Sequence, residues 1–328
     1  MAGPIDAPTL ELGIDDLVDW LELSAIFSPF GLSRTDALLG SLLEQQNTVE
    51  VDTSDIGEVD SSKERLIEEI ENEIELRRSN IGDAYPFELS DGGEELTLVA
   101  DWRDVKYAFY LVCLVTTHVT GSAILARPPV GALLTSLRNS VFQIIATLGM
   151  AGLAAGPALS VGWPRQTGET IVQLMQRAAA LGAGFNARPV PGPYVSPQEK
   201  DGGVDVIAWS IDGLPPPVTF HFAQTASGKN WPGKPVDAHA RVFSAAYLMD
   251  HQTGNLHYAT VIPYRVIDEK FWNSQSLLHR AILDRLRLPP RALRGLQLSE
   301  GGVTVDGADQ LGEVTGWLDQ FIEYAQAA

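Results

Sequence analysis

The chain has 328 residues, 45% of them apolar and 20% charged, which is enough to bury a sizeable core as one large or two medium domains. That balance excludes a disordered chain, and a single cysteine, Cys113, excludes an internal disulfide. Cys113 lies in the apolar run "YAFYLVCLV" and reads as a small buried hydrophobe in a reducing, cytoplasmic compartment.

The net charge of −19 is unevenly placed. The first hundred residues carry 24 acidic and 5 basic side chains, and the remainder carries 18 of each. A uniformly acidic chain would disfavour nucleic acid, because phosphate contacts supply most non-specific affinity. Here the neutral remainder contains a basic run, Lys270, Arg280, Arg285, Arg287, Arg291 and Arg294, against one acid, Asp284. It reads either as a solvated helix face or as a phosphate-facing surface.

In chain order, the start "MAGPIDAPTLELGIDD" has no basic n-region and no apolar h-region, so no secretory signal is expected. In "IDDLVDWLELSAIF", Ile14, Leu17, Leu21 and Ala25 share one helix face. Residues 44–62 are poor in apolar side chains and read as an exposed linker. In "SSKERLIEEIENEIELRRS" the residues Leu66, Ile70, Ile74 and Arg77 align. Ser61 or Ser62 is expected to cap that helix, with Arg77 and Arg78 set against its negative end. Residues 87–89 and 96–99 flank "SDGGEE" as a hairpin does.

Apolar helices follow over 105–119 and 133–153, broken by Pro128 and Pro129. Residues 107–119 are too short to span a membrane, and 141–163 is diluted by Gly149, Gly152, Gly156 and Pro157, so no membrane contact is expected. Next comes a helix capped by Thr167, with Glu169 in its first turn and Ile171, Leu174, Met175, Ala178 and Leu181 at helical spacing. The strand-like runs "VDVIAWSI" and "PVTFHFAQ", a helix over 237–249 and the strand "HYATVIPYRVI" complete the pattern. The order helix, two strands, helix, strand is that of an α/β sandwich with a mixed sheet. The boundaries expected are an acidic, mainly helical module with a small hairpin over 1–160, and an α/β unit over 161–328.

Two polar groups sit where strand cores do not want them. Asp205 interrupts an apolar strand and is awkward to bury alone. Gln224 ends the next strand with a carbonyl oxygen that can bind a metal, and Lys229 and Lys234 follow. Phosphodiester hydrolysis with Mg2+ needs converging oxygen ligands and a nearby cation to orient water. Glu169 suits a helix start whether or not a metal is present, Gln143 is a rival helix ligand or an exposed polar residue, and Trp231 packs under the sheet or beside a ligand. The six histidines show no zinc spacing, and GxSxG, GxGxxG and a P-loop are absent.

The stretch from Gly168 to Met249, with Glu169, "GGVDVIAW" and "VTFHFAQTASGK", resembles the PD-(D/E)XK nuclease superfamily, and within it the Mrr-like restriction endonucleases. The resemblance implies a mixed-sheet restriction-endonuclease-like core and a Mg2+- or Mn2+-dependent endonuclease acting on double-stranded DNA. Asp205, Gln224 and Glu169 would hold the metal, and Lys229 or Lys234, with Lys229 nearer the strand end, would assist the attacking water. Ala226 stands where that family's lysine usually does, so a catalytically silent binding or scaffold subunit of a defence complex is the alternative. "QTASGKNWPGK" and "LDRLRL" are also similar to stretches of bacterial nuclease-like proteins of phage defence. In such a setting the acidic module would meet a protein partner or a second copy.

Overall fold

The computed structural model describes residues 3–47, 56–162, 164–165, 168–193, 195, 200–211, 213–250 and 252–327. Thr167, expected as a cap, and residues 48–55 of the expected linker lie outside them. The elements are α1 (Ile14–Phe27), β1 (Leu32–Arg34), α2 (Thr35–Asn47), α3 (Ile56–Ile81), β2 (Phe87–Leu89), β3 (Glu95–Leu98), α4 (Val105–Thr117) and α5 (Gly131–Ser136). A π turn at Leu137–Val141 joins α5 to α6 (Phe142–Ala154). Then come β4 (Ala158–Ser160), α7 (Ile171–Ala180), β5 (Val206–Trp209), β6 (Thr219–Thr225), α8 (Val236–Tyr247), β7 (Asn255–Val261), α9 (Glu269–His279), β8 (Ala281–Leu283), α10 (Leu288–Glu300) and α11 (Leu311–Gln326).

The chain is a mixed α/β protein whose main sheet has five strands in the order β4-β5-β6-β7-β8. β4, β5 and β6 pair antiparallel, while β6, β7 and β8 pair parallel. Parallel neighbours need crossovers, which α8 and α9 supply. Side chains alternate across the sheet. Ala158, Val206, Ala208, Ala223 and Ala259 face a large core shared with α1, α4, α6, α10 and α11. Ile207, Trp209, Phe220 and Phe222 face a second core under α7 and α8. Small residues on the first face let α6 lie close, and aromatic residues fill the second. The division expected at 160/161 falls at the end of β4, and the larger core draws residues from both sides of it.

The helix packed across β4, β5 and β6 is α6, whereas the helix read as opening the sheet unit is α7, inserted between β4 and β5. Its cap is Thr170, whose hydroxyl accepts from Gln173 N while Gln173 Oε1 accepts from Thr170 N. α3 begins at Ile56, so Ser61 and Ser62 lie inside it and do not cap it. No proline interrupts 56–62, and each added residue extends the helix by one backbone bond.

Three glycines set how closely α6 and α10 cross. A methyl group at Gly152 would strike the Arg291 carbonyl, one at Gly295 the Leu148 carbonyl, and one at Gly149 the Leu288 side chain. Two of the glycines that dilute the membrane-spanning pattern, Gly149 and Gly152, are therefore helix-contact residues. Gly152→Ala or Gly295→Ala should lower stability by about 1–3 kcal/mol through overpacking. Gly316 in α11 has open space around it, so Gly316→Ala should raise stability by up to about 1 kcal/mol. Urea unfolding midpoints of the three variants check both signs.

The acidic N-terminal part is anchored by a buried ionic network. Arg77, expected near the end of α3 as a dipole partner, is fully buried. It donates to Asp19 Oδ1 (2.6 Å), Asp15 Oδ1 (2.6 Å) and Glu73 Oε1 (2.8 Å). It lies on the face of Ile70 and Ile74, so that face carries it inward. Arg285 donates to Asp19 Oδ2 (2.6 Å) and to both oxygens of Asp15. Arg285 is also fully buried, which corrects its placement on a phosphate-facing surface. Arg265 pairs with Asp15 and Glu73. Burial alone would raise Asp19, but Arg285 and Arg77 outweigh it and hold its carboxyl well below the usual range. Glu22 is raised by its burial although Tyr85 and Tyr110 each donate to it at 2.6 Å.

Candidate metal centre

The antiparallel register of β5 and β6 pairs Val206 with Ala223, so the preceding residue Asp205 lies opposite Gln224. Opposed residues share a face, here the face of Ile207, Trp209, Phe220 and Phe222. The Asp205 N–H donates to Ala223 O (2.9 Å), and Asp205 Oδ2 accepts from Thr225 N (2.8 Å) and Gln224 Nε2 (3.3 Å). Gln224 Oε1 is buried and meets no donor. The sequence-predicted aspartate and glutamine are thus in direct contact at one end of the sheet.

Desolvation pushes the Asp205 carboxyl up to about 7, the Thr225 N–H works against that, and Asp201 adds to it. Gln224 and Lys234 pull it down. Lys229 and Lys234 are both exposed. Lys234, which follows the short turn Trp231–Gly233 at the entry to α8, is the lysine whose charge acts on Asp205.

Gln143 on α6 is part of the site. Its Nε2 donates to Asp205 O (2.9 Å) and to Ser160 Oγ (3.1 Å). Gly162 fills the remaining space, since a Cβ there would come within 3.1 Å of Gln143 Cδ and 3.2 Å of Asp205 Oδ1. Gln143 was legible only as one of two alternatives, because the helix that carries it precedes a strand of three residues.

Glu169 has a different environment. Arg177 donates to both of its carboxylate oxygens (2.8–3.2 Å) and also to Asp306 (2.8 and 2.9 Å). Asp306 is placed by the segment running parallel beside β4 and accepts from Ser160 N (3.0 Å). A hydrogen-bond chain therefore leads from Glu169 through Arg177, Asp306, Ser160 and Gln143 to the Asp205 backbone. Trp231 is buried and packs edge-on to Phe271, and Ala226 is buried with Trp231, Ile262, Tyr264 and Ile282.

The donor set is of the kind a hard divalent ion takes, one carboxylate that desolvation makes hard to ionise and one buried amide oxygen lacking a donor, and the two converge when the Gln224 amide turns over so that Oε1 replaces Nε2 beside Asp205 Oδ2. Asp16, Asp19 and His118 form another group, with potential ligand atoms within 4.8 Å of one another. There both Asp19 oxygens already accept from guanidinium groups, and Oδ2 also contacts His118 Nε2 at 2.8 Å. A cation would have to displace those arginines, so the Asp205 pair is the better candidate. Among the described residues no helix is long and apolar enough to cross a membrane. No family model matches the chain, and no curated protein or solved structure matches it.

Proposed function

We propose that the chain is a Mg2+- or Mn2+-dependent phosphodiester hydrolase acting on double-stranded DNA, built on a restriction-endonuclease-like core. The observation that carries this reading is the Asp205–Gln224 pair, with the Gln224 amide oxygen buried and partnerless beside a carboxyl raised to about 7. Asp205 and Gln224 hold the ion, which when bound supplies Lewis-acid polarisation of the phosphate and an activated water. Lys234 balances charge developing near Asp205 and orients the attacking water, and Lys229 is the alternative cation. Glu169 braces the site through Arg177, which holds both of its carboxylate oxygens, so it would join as a third ligand only by releasing that arginine. In this reading the enzyme serves a cytoplasmic bacterial restriction or anti-phage system, with its acidic N-terminal part as the surface for a partner or a second copy.

The buried Ala226 favours a second reading, a catalytically silent subunit that keeps the fold for binding. Supercoiled plasmid incubated with the protein and Mg2+ or Mn2+ separates the two. The enzyme reading expects metal-dependent nicking or linearisation that falls at least about a hundredfold in Asp205→Ala, the equivalent of losing roughly 3 kcal/mol of transition-state stabilisation. Lys234→Ala should fall further than Lys229→Ala. Cleavage untouched by Asp205→Ala would move the chemistry elsewhere, and no cleavage with either ion would support the silent subunit.

A further inference from the structure

The face of the sheet opposite Asp205 carries two imidazoles in contact. His221 on β6 and His257 on β7 are partners in the parallel register, so both project from the face of Ala223 and Ala259. Their rings stack with centroids 4.9 Å apart and planes 22° from parallel. His221 is 8% exposed, and its Nδ1 is buried without a hydrogen-bond partner. His257 is exposed. A buried polar atom left unpaired costs about 1–3 kcal/mol, and stacking two imidazoles does nothing to satisfy it.

The chemistry of the pair narrows what would satisfy that nitrogen. Burial, with the neighbouring His257, holds His221 down to about 4, so at neutral pH the ring is uncharged and keeps a lone pair. Neutral imidazole suits Zn2+, Cu2+ and Ni2+ rather than oxygen-seeking Mg2+. The His257 ring is exposed, and its terminal torsion is broad, so turning it toward a shared ion costs little. Asn255, exposed and two residues before His257 on the same face of β7, offers an amide oxygen, and water can complete the shell.

We propose that His221 and His257 form a binding site for a divalent transition-metal ion with imidazole preference, such as Zn2+ or Cu2+, clamping β6 to β7. The site lies across the sheet from the Asp205 pair and stands whether or not that pair is catalytic.

The test uses the full chain with excess Mg2+ to occupy hard-oxygen sites. One equivalent of Cu2+ should give an electron paramagnetic resonance spectrum with coupling to two imidazole nitrogens. His257→Gln should lose one of these couplings, and Zn2+ affinity by calorimetry should fall roughly tenfold or more. Asp205→Asn should change neither readout. His257 is exposed, so its substitution leaves the fold intact, which circular dichroism verifies. A wild-type protein that binds no stoichiometric Cu2+ or Zn2+ overturns the proposal, and so does a spectrum and affinity that His257→Gln leaves unchanged.

Discussion

Arg285→Met should lower the unfolding free energy by about 3–5 kcal/mol at neutral pH, the cost expected when one partner of a buried ion pair is removed and the other charge stays buried. Arg285 has no exposed side-chain surface, and neither has Asp19, its partner at 2.6 Å. Without Arg285, Asp19 keeps Arg77 and His118, but one of its two charge-assisted guanidinium contacts is gone and Asp15 loses a partner as well. A methionine fills most of the space, so the loss is mainly electrostatic. The comparison is Arg103→Met, whose pair with Asp319 is 66% and 48% exposed and should be worth only about 0–1 kcal/mol. Urea unfolding followed by circular dichroism reads both. A cost for Arg285→Met no larger than that for Arg103→Met would mean that the network does not fasten α1 to the segment after β8.

The sign with pH follows from the same group. The Asp19 carboxyl is held well below its ordinary value by Arg285 and Arg77, so its contribution is present above the unfolded carboxylate range. It is lost as pH falls through the lower folded value. Arg285→Met should therefore narrow its gap to wild type in strong acid, whereas Gly152→Ala, a steric defect, should keep its gap.

What the sequence made legible was set by periodicity. α1 follows from apolar spacing over three or more turns, α4 from an apolar run, the pairing of β2 with β3 from the turn signal between them, and Asp205 with Gln224 from strand alternation plus two polar residues out of place. β4 and β8 have three residues each, too short for a period to register, and losing β4 obscured the role of α6 and of Gln143. Arg285 was misread because a linear run of basic residues records local charge only. Its partner Asp19 is 266 residues away, and only the tertiary fold brings an acidic helix onto that run. Part of the N-terminal negative charge is neutralised in that contact.

Asp205→Asn should stabilise the metal-free protein above pH 7 while removing its response to metal, the opposite of what a purely structural aspartate would do. The folded state holds the Asp205 carboxyl up to about 7 against an ordinary value of 3.8, so it takes up a proton on folding between those values. Stability from this group is fully present below about pH 4, declines as pH rises toward 7 and is flat beyond. Above pH 7 the ionised carboxylate costs on the order of 2–4 kcal/mol, the lower figure allowing for its partial exposure. An asparagine removes that charge and still accepts from Thr225 N. Its amide also offers a donor to Gln224 Oε1 if the Gln224 side chain turns over. On the proposed reading Mg2+ or Mn2+ binds the ionised form, and wild type should then gain several degrees in melting temperature on adding either ion at pH 8 and much less at pH 5. Asp205→Asn should gain nothing at either pH. Differential scanning calorimetry at the two pH values, with and without metal, reads all four quantities. A variant less stable than wild type at pH 8 without metal would show that the carboxylate serves the fold. Equal metal shifts in the two proteins would remove Asp205 from any ion-binding role.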